Sequence, residues 1–403
     1  MMAGALEAGH GDLHSAAQPT RRDGGNPKQP RPADPGRAVE TSEPSQTGRP
    51  DLRLEVVDTL EHPPGGWTEL AERSGNIFAT WEWASVWWRH FGRSRRLLVT
   101  TLRATDGRTV AILPLYLRWS TRPIRTVRFL GHGPADQAAL LCDPADRQMG
   151  PWALQRALAE CPLRWDIFLG ERLPGDEDWS SLPGVTRLRR EGSPVVRIDG
   201  RSWDSFLASK SRNFRQQVRR RERRLAKQHE VRFRLSDDPK RLGDDLDVLF
   251  ELHEARWGRR GSRNFAGVHK AFHRDFAALA LDRGWLRLWT MEVDGTPVAA
   301  WCGYRFGGAE YYYQSGRDPA WDRASVGFVL LAHSIREAFN DGMHEYRLLR
   351  GGEAYKGRFA SEDPGLETIG LARGVAARAL LAGAVAARGA RFPGRRLLAR
   401  LAE

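Results

Sequence analysis

Apolar and polar positions along this chain follow two periods, one helical and one of extended strands. Trp83, Val86, Trp87, His90 and Phe91 fall at i, i+3, i+4, i+7 and i+8, which predicts a helix with one buried face. The β-rich runs 97–102 and 110–116 follow, on either side of Asp106-Gly107, and predict a hairpin. The same device returns at 285–293, Asp294-Gly295 and 297–306. In both places another β run comes next, at 126–130 and at 310–314. A glycine-bearing loop and a helix then follow, at about 150–160 and 326–340. The shared order of elements predicts an internal duplication and an α/β or α+β class. A boundary near 200, where Asp199-Gly200 precedes a new helix, fits it.

That helix is predicted over 203–228, with Ser202 or Asp204 as its N-cap. Leu207, Phe214, Val218 and Leu225 make a narrow apolar stripe, and nearly every other position is basic. The charge reads as spread around the helix, which argues for a solvated helix over a nucleic-acid-binding face. Lys210, Arg212 and Asn213, near its start, stand apart as groups placed to point into a site. A second helix carries Leu242, Leu246, Leu249, Phe250, His253 and Trp257 on one face. Residues 1–50 hold almost no large apolar side chain and are expected to be disordered. The domain plan is therefore 1–50, 51–200, 201–372 and an Ala/Arg-rich helical tail over 373–403.

Composition narrows the picture little. Hydrophobic residues make up 41% and charged residues 28%, enough for real cores in a soluble chain. The net charge of +13 favours anionic partners without choosing among phosphorylated cofactors, nucleic acid and lipid. Three scattered cysteines, Cys142, Cys161 and Cys302, argue against a zinc site or a disulfide scaffold, and no metal is expected. With no apolar leader and no spanning-length apolar run, a cytoplasmic protein is expected. The tail allows peripheral contact with the inner membrane face.

Two segments carry candidate chemistry. In the first, the β run through Gln314 and Ser315 enters a loop with Arg323, and Ser325, Val326, Gly327 and Phe328 open a helix. Free N–H groups at a helix start and close approach at Gly327 suit a diphosphate; the plainer alternative is a capped helix after a turn. In the second, Gly351-Gly352 precedes Glu353, Tyr355 and Lys356. These three read as general base, proton donor and electrostatic clamp, or else as a solvated turn with an ordinary Glu–Lys pair. Trp257 is a candidate substrate contact, alongside Lys210 and Arg212.

Together these pieces resemble the GNAT-superfamily acyltransferases of the BioF-like/CelD-type group, bacterial relatives of the FemAB peptidyltransferases. The resemblance runs from about 76 to 370. It is carried by 78–83, by 127–131 with Asp136, by Lys210 to Arg215, by Ala255-Arg256-Trp257 with Gly261, by 315–327 and by 353–356. It implies two tandem GNAT-like halves with mixed sheets flanked by helices. It also implies an acyl-CoA co-substrate lying where the strands near 310–316 and 345–350 part, and direct attack by an amine or hydroxyl. The acceptor implied is polar, such as an amino sugar, a cell-envelope precursor or an exopolysaccharide component. Arg347 and Gly352 stand where the group usually carries acids, which leaves the base to Glu353, Asp322 or water. The long coiled-coil arm of true FemAB enzymes is not seen, which favours acyl-CoA over aminoacyl-tRNA as donor. A catalytically degenerate fold that binds at a membrane surface is the third reading.

Overall fold

The computed structural model describes residues 51–118 and 124–389, without the side chains of 259–263 and 387–389. The first sheet opens with β1 (Leu52–Val57), β2 (Arg95–Ala104), β3 (Thr109–Arg118), β4 (Thr126–Phe129), β5 (Leu141–Cys142), β6 (Ile167–Pro174) and β7 (Thr186–Glu191). The second holds β8 (Val195–Arg197), β9 (Val231–Leu235), β10 (Leu286–Val293), β11 (Thr296–Phe306), β12 (Ala309–Arg317) and β13 (Glu345–Arg347). The last strand, β14 (Leu366–Ala372), returns to the first sheet. The orders are β1-β2-β3-β4-β6-β14-β7, with β5 on β3, and β8-β13-β12-β11-β10-β9. Both predicted hairpins form, with Gly107 and Gly295 at φ 85° and 79°, a conformation in which a side chain is strained.

The duplication is visible in strand direction. In each sheet an antiparallel meander is followed by a helical crossover to a parallel strand, β4 to β6 in the first and β12 to β13 in the second. The crossover helices are α3 (Gly150–Ala159) and α8 (Val326–Asn340), after α1 (Trp67–Ser74) and α2 (Trp81–Phe91). Between them lie α4 (Trp203–Ser209), α5 (Arg212–Gln228), α6 (Leu242–Gly261) and α7 (Val268–Asp282). α9 (Ala354–Phe359) and α10 (Val375–Gly389) complete the set.

The helix predicted over 203–228 is two. Ser209 ends α4, and Ser211 starts α5 by accepting the Phe214 amide at 3.3 Å. A capping serine inside the basic run outcompetes continuation of the helix. Nor is its charge evenly spread. Phe214, Val218 and Leu225 are buried, while Arg212, Arg215, Arg219, Arg220, Arg223 and Lys227 line one continuous surface.

One core joins the two sheets. Trp83 of α2 lies edge-on to Phe272 and Phe276 of α7 and to Tyr304 and Tyr313 of the second sheet. Tyr311 and Tyr313 face this shared core, whereas Trp301, Tyr312 and Tyr346 face a second core under α4, α5 and α8. α10 sets Ala377, Leu381 and Ala384 inward on the first sheet, so its apolar face is occupied up to that point. Residues 1–50 and the tail beyond 389 lie outside the described residues. Among the described residues no helix is long and apolar enough to cross a membrane.

Candidate active site

β12 and β13 pair only from Ala309↔Glu345 to Tyr311↔Arg347, and then they part. β12 runs on to Arg317 while the other chain turns away. The Leu348 amide donates to the Pro194 carbonyl and that of Gly351 to Gly192, both away from β12. The bend is made by Leu349, buried and held at φ 55°, a left-handed conformation that costs a non-glycine residue of order 1 kcal/mol. On its other edge β12 bulges. Gly303 opposes Tyr312 and Cys302 opposes Gln314, so Tyr313 has no partner in register. The backbone around Tyr313 is thus released on both sides, and a wedge-shaped gap opens in the middle of the sheet.

The start of α8 lies beyond the end of β12. A 3₁₀ turn over Pro319–Ala324 delivers Ser325 at φ 59°, where its side chain caps nothing. The first helical bonds run from the Phe328 and Val329 amides to the Ser325 carbonyl, which leaves the Val326 and Gly327 amides without an acceptor among the described residues. A Cβ at Gly327 would meet only the Arg317 side chain, at 3.3 Å, so the amides are open to approach. Arg317 pairs with Asp322 at 2.7 Å, and Arg323 is exposed with no partner among the described residues. Val326 itself is buried in the core. Phe328 is half-buried, with the Arg221 guanidinium over its ring at 4.6 Å.

On the α8 side of the gap, four groups are linked. Tyr355 shares a hydrogen bond with Tyr312, the Tyr312 hydroxyl donates to Ser315 at 2.9 Å, and Arg256 donates to the same oxygen at 2.8 Å. Burial, then Tyr312 and Glu353, hold the Tyr355 phenol well above its ordinary pKa, so it is protonated at neutral pH. Gln314 shares a hydrogen bond with His253, whose pKa burial and Arg256 push down to about 4.

Asp136 approaches the gap from the opposite face. Its carboxyl lies 3.8 Å from Arg172 and 4.0 Å from Arg350, and it is buried beside Tyr313. Burial raises its pKa more than Arg172, Arg350 and Lys356 lower it. In the sequence Asp136 stands out only as part of a strand-and-loop pattern, because its neighbours come from β6 and from the turn after β13.

Other predicted site residues are tied into the fold. The Lys356 ammonium donates to the Arg350 carbonyl at 2.6 Å and pairs with Glu353 at 3.1 Å, while the Glu353 side chain folds back over Gly351. The pair clasps the turn that bends away from β12. Lys356→Met, which strands a carbonyl and an acid, is expected to lower stability by about 1–3 kcal/mol, measurable in a denaturant melt. Lys210 donates to the Ala360 carbonyl at 2.7 Å, which anchors α9 to α4. Arg212 belongs to the basic surface of α5. Trp257 is 50% exposed under Arg256, beside the kink at Gly258.

Residues 212–357 match the family model described as an acetyltransferase (GNAT) domain. The fold is also that of FemX, at 11% identity and a TM-score of 0.55 over 77% of this chain and 96% of that one. It is equally that of the C-terminal domain of a putative lysylphosphatidylglycerol synthetase from Agrobacterium fabrum. There the identity is 12% and the TM-score 0.52, over 78% of this chain and 93% of that one. None of the curated proteins gives a significant sequence match. Domain and fold together define an acyltransferase of the GNAT class. The matched domain, together with the fold shared with FemX, supports a FemAB-related acyltransferase of this class.

Proposed function

We propose that this protein transfers an acyl group from acyl-CoA to an amine or hydroxyl of a polar acceptor by direct attack. The observation that carries the reading is the gap between β12 and β13 leading to the uncapped Val326 and Gly327 amides. Those amides and the partial positive charge at the start of α8 suit a diphosphate, with Arg323 beside them to add charge. Gln314 and Ser315 on β12 and Phe328 on α8 would line this path. Acyl-CoA would supply the thioester carbonyl as electrophile. The protein's part is positioning, proton removal on one face and proton delivery on the other. Asp136 takes the proton of the acceptor, and the neutral Tyr355 gives one to the leaving sulfur, with Tyr312 and Ser315 behind it as a relay. Because one structural neighbour is named for lysylphosphatidylglycerol, a cell-envelope acceptor is the first class to test.

Gly327→Trp tests donor use. Its Cβ would meet only the flexible Arg317 side chain, and the indole beyond it is expected to cover the two amides. Acetyl-CoA or longer acyl-CoA affinity, measured by calorimetry, is expected to fall at least about tenfold. Failure of the wild type to bind any of them would end the acyl-CoA reading. The one-sided basic surface of α5 favours a second reading, an aminoacyl-tRNA donor. Steeply salt-dependent tRNA binding, lost on charge reversal of Arg220, Arg223 and Arg224 together, would support it.

A further inference from the structure

Phe328, one residue beyond the open amides at the start of α8, belongs to a platform of three aromatic rings. Phe214 of α5 lies edge-on to it at 6.2 Å. Phe359 of α9 touches both, at 4.9 Å from Phe214 and 5.4 Å from Phe328. Phe214 and Phe359 are buried, and Phe328 is the half-open edge of the platform. Two guanidinium groups rest on these rings. Arg221 of α5 sits over Phe328 at 4.6 Å, and Arg358 of α9 sits over Phe214 at 4.9 Å.

Neither arginine has a carboxylate partner among the described residues. The acids nearest to them in sequence are engaged elsewhere: Glu222 holds Arg336 at 2.9 Å, and Glu353 holds Lys356 at 3.1 Å. Burial, then the like charges of Arg358 and Arg220, lower the Arg221 pKa, yet a guanidinium remains protonated at neutral pH. Two full positive charges are therefore brought together from two helices against their own repulsion. The aromatic faces offset part of that cost, and an anion held by both guanidiniums offsets more. Arg358 is exposed and Arg221 half-buried, so an anion can reach the pair from solvent.

In the function proposed above, on which this inference rests, the Val326 and Gly327 amides take the diphosphate of the donor. Acyl-CoA carries one further phosphate, a monoester on the 3′ oxygen of its ribose, which is close to doubly charged at neutral pH. One sugar separates it from the diphosphate, and the Phe328 side chain carries the path from the amides to Arg221. We propose that Arg221 and Arg358 bind the 3′-phosphate of acyl-CoA. They thereby select that donor over an acyl group carried on protein-bound phosphopantetheine, which lacks the 3′-phosphate. Two forked donors on one dianion also match in charge and in shape.

The test is calorimetry on the full chain with acetyl-CoA and with 3′-dephospho-acetyl-CoA. The wild type is expected to bind the first at least about tenfold more tightly, as for hydrogen bonds to a charged group. Arg221→Gln and Arg358→Gln each shrink that ratio, and the double variant binds the two compounds alike, the loss falling on acetyl-CoA. Arg232→Gln removes an exposed arginine of β9 that pairs with Glu230, and it keeps the ratio, which separates the site from overall charge. Equal binding of the two compounds by the wild type overturns the proposal and leaves the acyl-CoA reading in place; binding of neither ends both. A ratio that falls as far in Arg232→Gln as in Arg221→Gln overturns it too. The wild-type comparison uses no variant, so it decides even where a variant folds poorly.

Discussion

Replacing Asp136 by asparagine is expected to cut turnover by about 10²–10⁴-fold, the usual span for loss of a positioned general base, while leaving acyl-CoA affinity unchanged. The argument is geometric. Tyr313, the bulged residue of β12, faces the shared core, and Asp136 lies beside it; Tyr312 faces the α8 side, where Tyr355 and Ser315 sit. On the proposed mechanism base and acid would thus stand on opposite faces of one gap, Asp136 taking the amine's proton as it adds to the thioester carbonyl and Tyr355 protonating the thiolate expelled when the tetrahedral intermediate collapses. Burial raises the Asp136 pKa, and Arg172 and Arg350 only partly oppose it. A base works when deprotonated, so the wild-type rate climbs with pH, with a midpoint above the ordinary carboxylate value of about 4. Asparagine removes that limb along with the rate. The matching stability effect has the opposite sign. A carboxyl whose pKa rises on folding stabilises most when protonated, and that contribution fades as pH rises through the folded value. A pH–rate profile with acyl-CoA titration checks both halves. A variant with normal turnover would return the base to water or to Glu353.

Why Asp136 was hard to read from sequence is also why the hairpins were easy. Asp106-Gly107 and Asp294-Gly295 are local signals, as both residues of the turn and its flanking strands lie within one short segment. The start of α8 was legible for the same reason: a β run, a loop and an apolar helix face follow one another directly. The environment of Asp136 is assembled from Arg172 on β6 and Arg350 after β13, and no local pattern announces that meeting. The exchange of strands is equally non-local. β8, from the first half of the chain, pairs with β13 in the second sheet, while β14 inserts between β6 and β7 in the first. Lys356 and Glu353 show the converse. Their types and spacing fit a catalytic pair, and the fold also uses them structurally, the lysine bonding the Arg350 carbonyl and pairing with Glu353. Helical spacing puts Trp257 on an apolar helix face, but the kink at Gly258 ends that face and leaves the indole half in solvent.

The bulge that frees Tyr313 rests on one missing side chain, and restoring it should be costly. At Gly303 an added Cβ would overlap the Tyr311 carbonyl oxygen across the sheet and the Trp301 ring along the strand. Trp301 lies flat on this glycine, nearly parallel to Tyr312 at 5.8 Å and to Tyr346 at 6.0 Å, all within the core under α8. A backbone obstacle cannot swing aside as a side-chain tip can, so Gly303→Ala has to move β11 off β12 or expel the indole. Overpacking of this kind costs about 3 kcal/mol, at the upper end of its usual range. For a chain of this size that lowers Tm by roughly 3–5 °C. Gly243→Ala is the control, since Gly243 is exposed in the first turn of α6 with nothing near its Cβ position. It should gain about 0.4–1 kcal/mol instead, because alanine restricts the unfolded chain. The two effects have opposite signs for one added methyl group, so paired thermal melts decide the matter. Where Gly303→Ala stays folded, the shift of Tyr312 breaks its bond to Ser315 and with it the relay to Tyr355. Turnover then falls more than acyl-CoA affinity does. Equal melting of both variants with the wild type would mean that the strands accept a side chain at Gly303, and that the gap beside Tyr313 is held open by something other than this bulge.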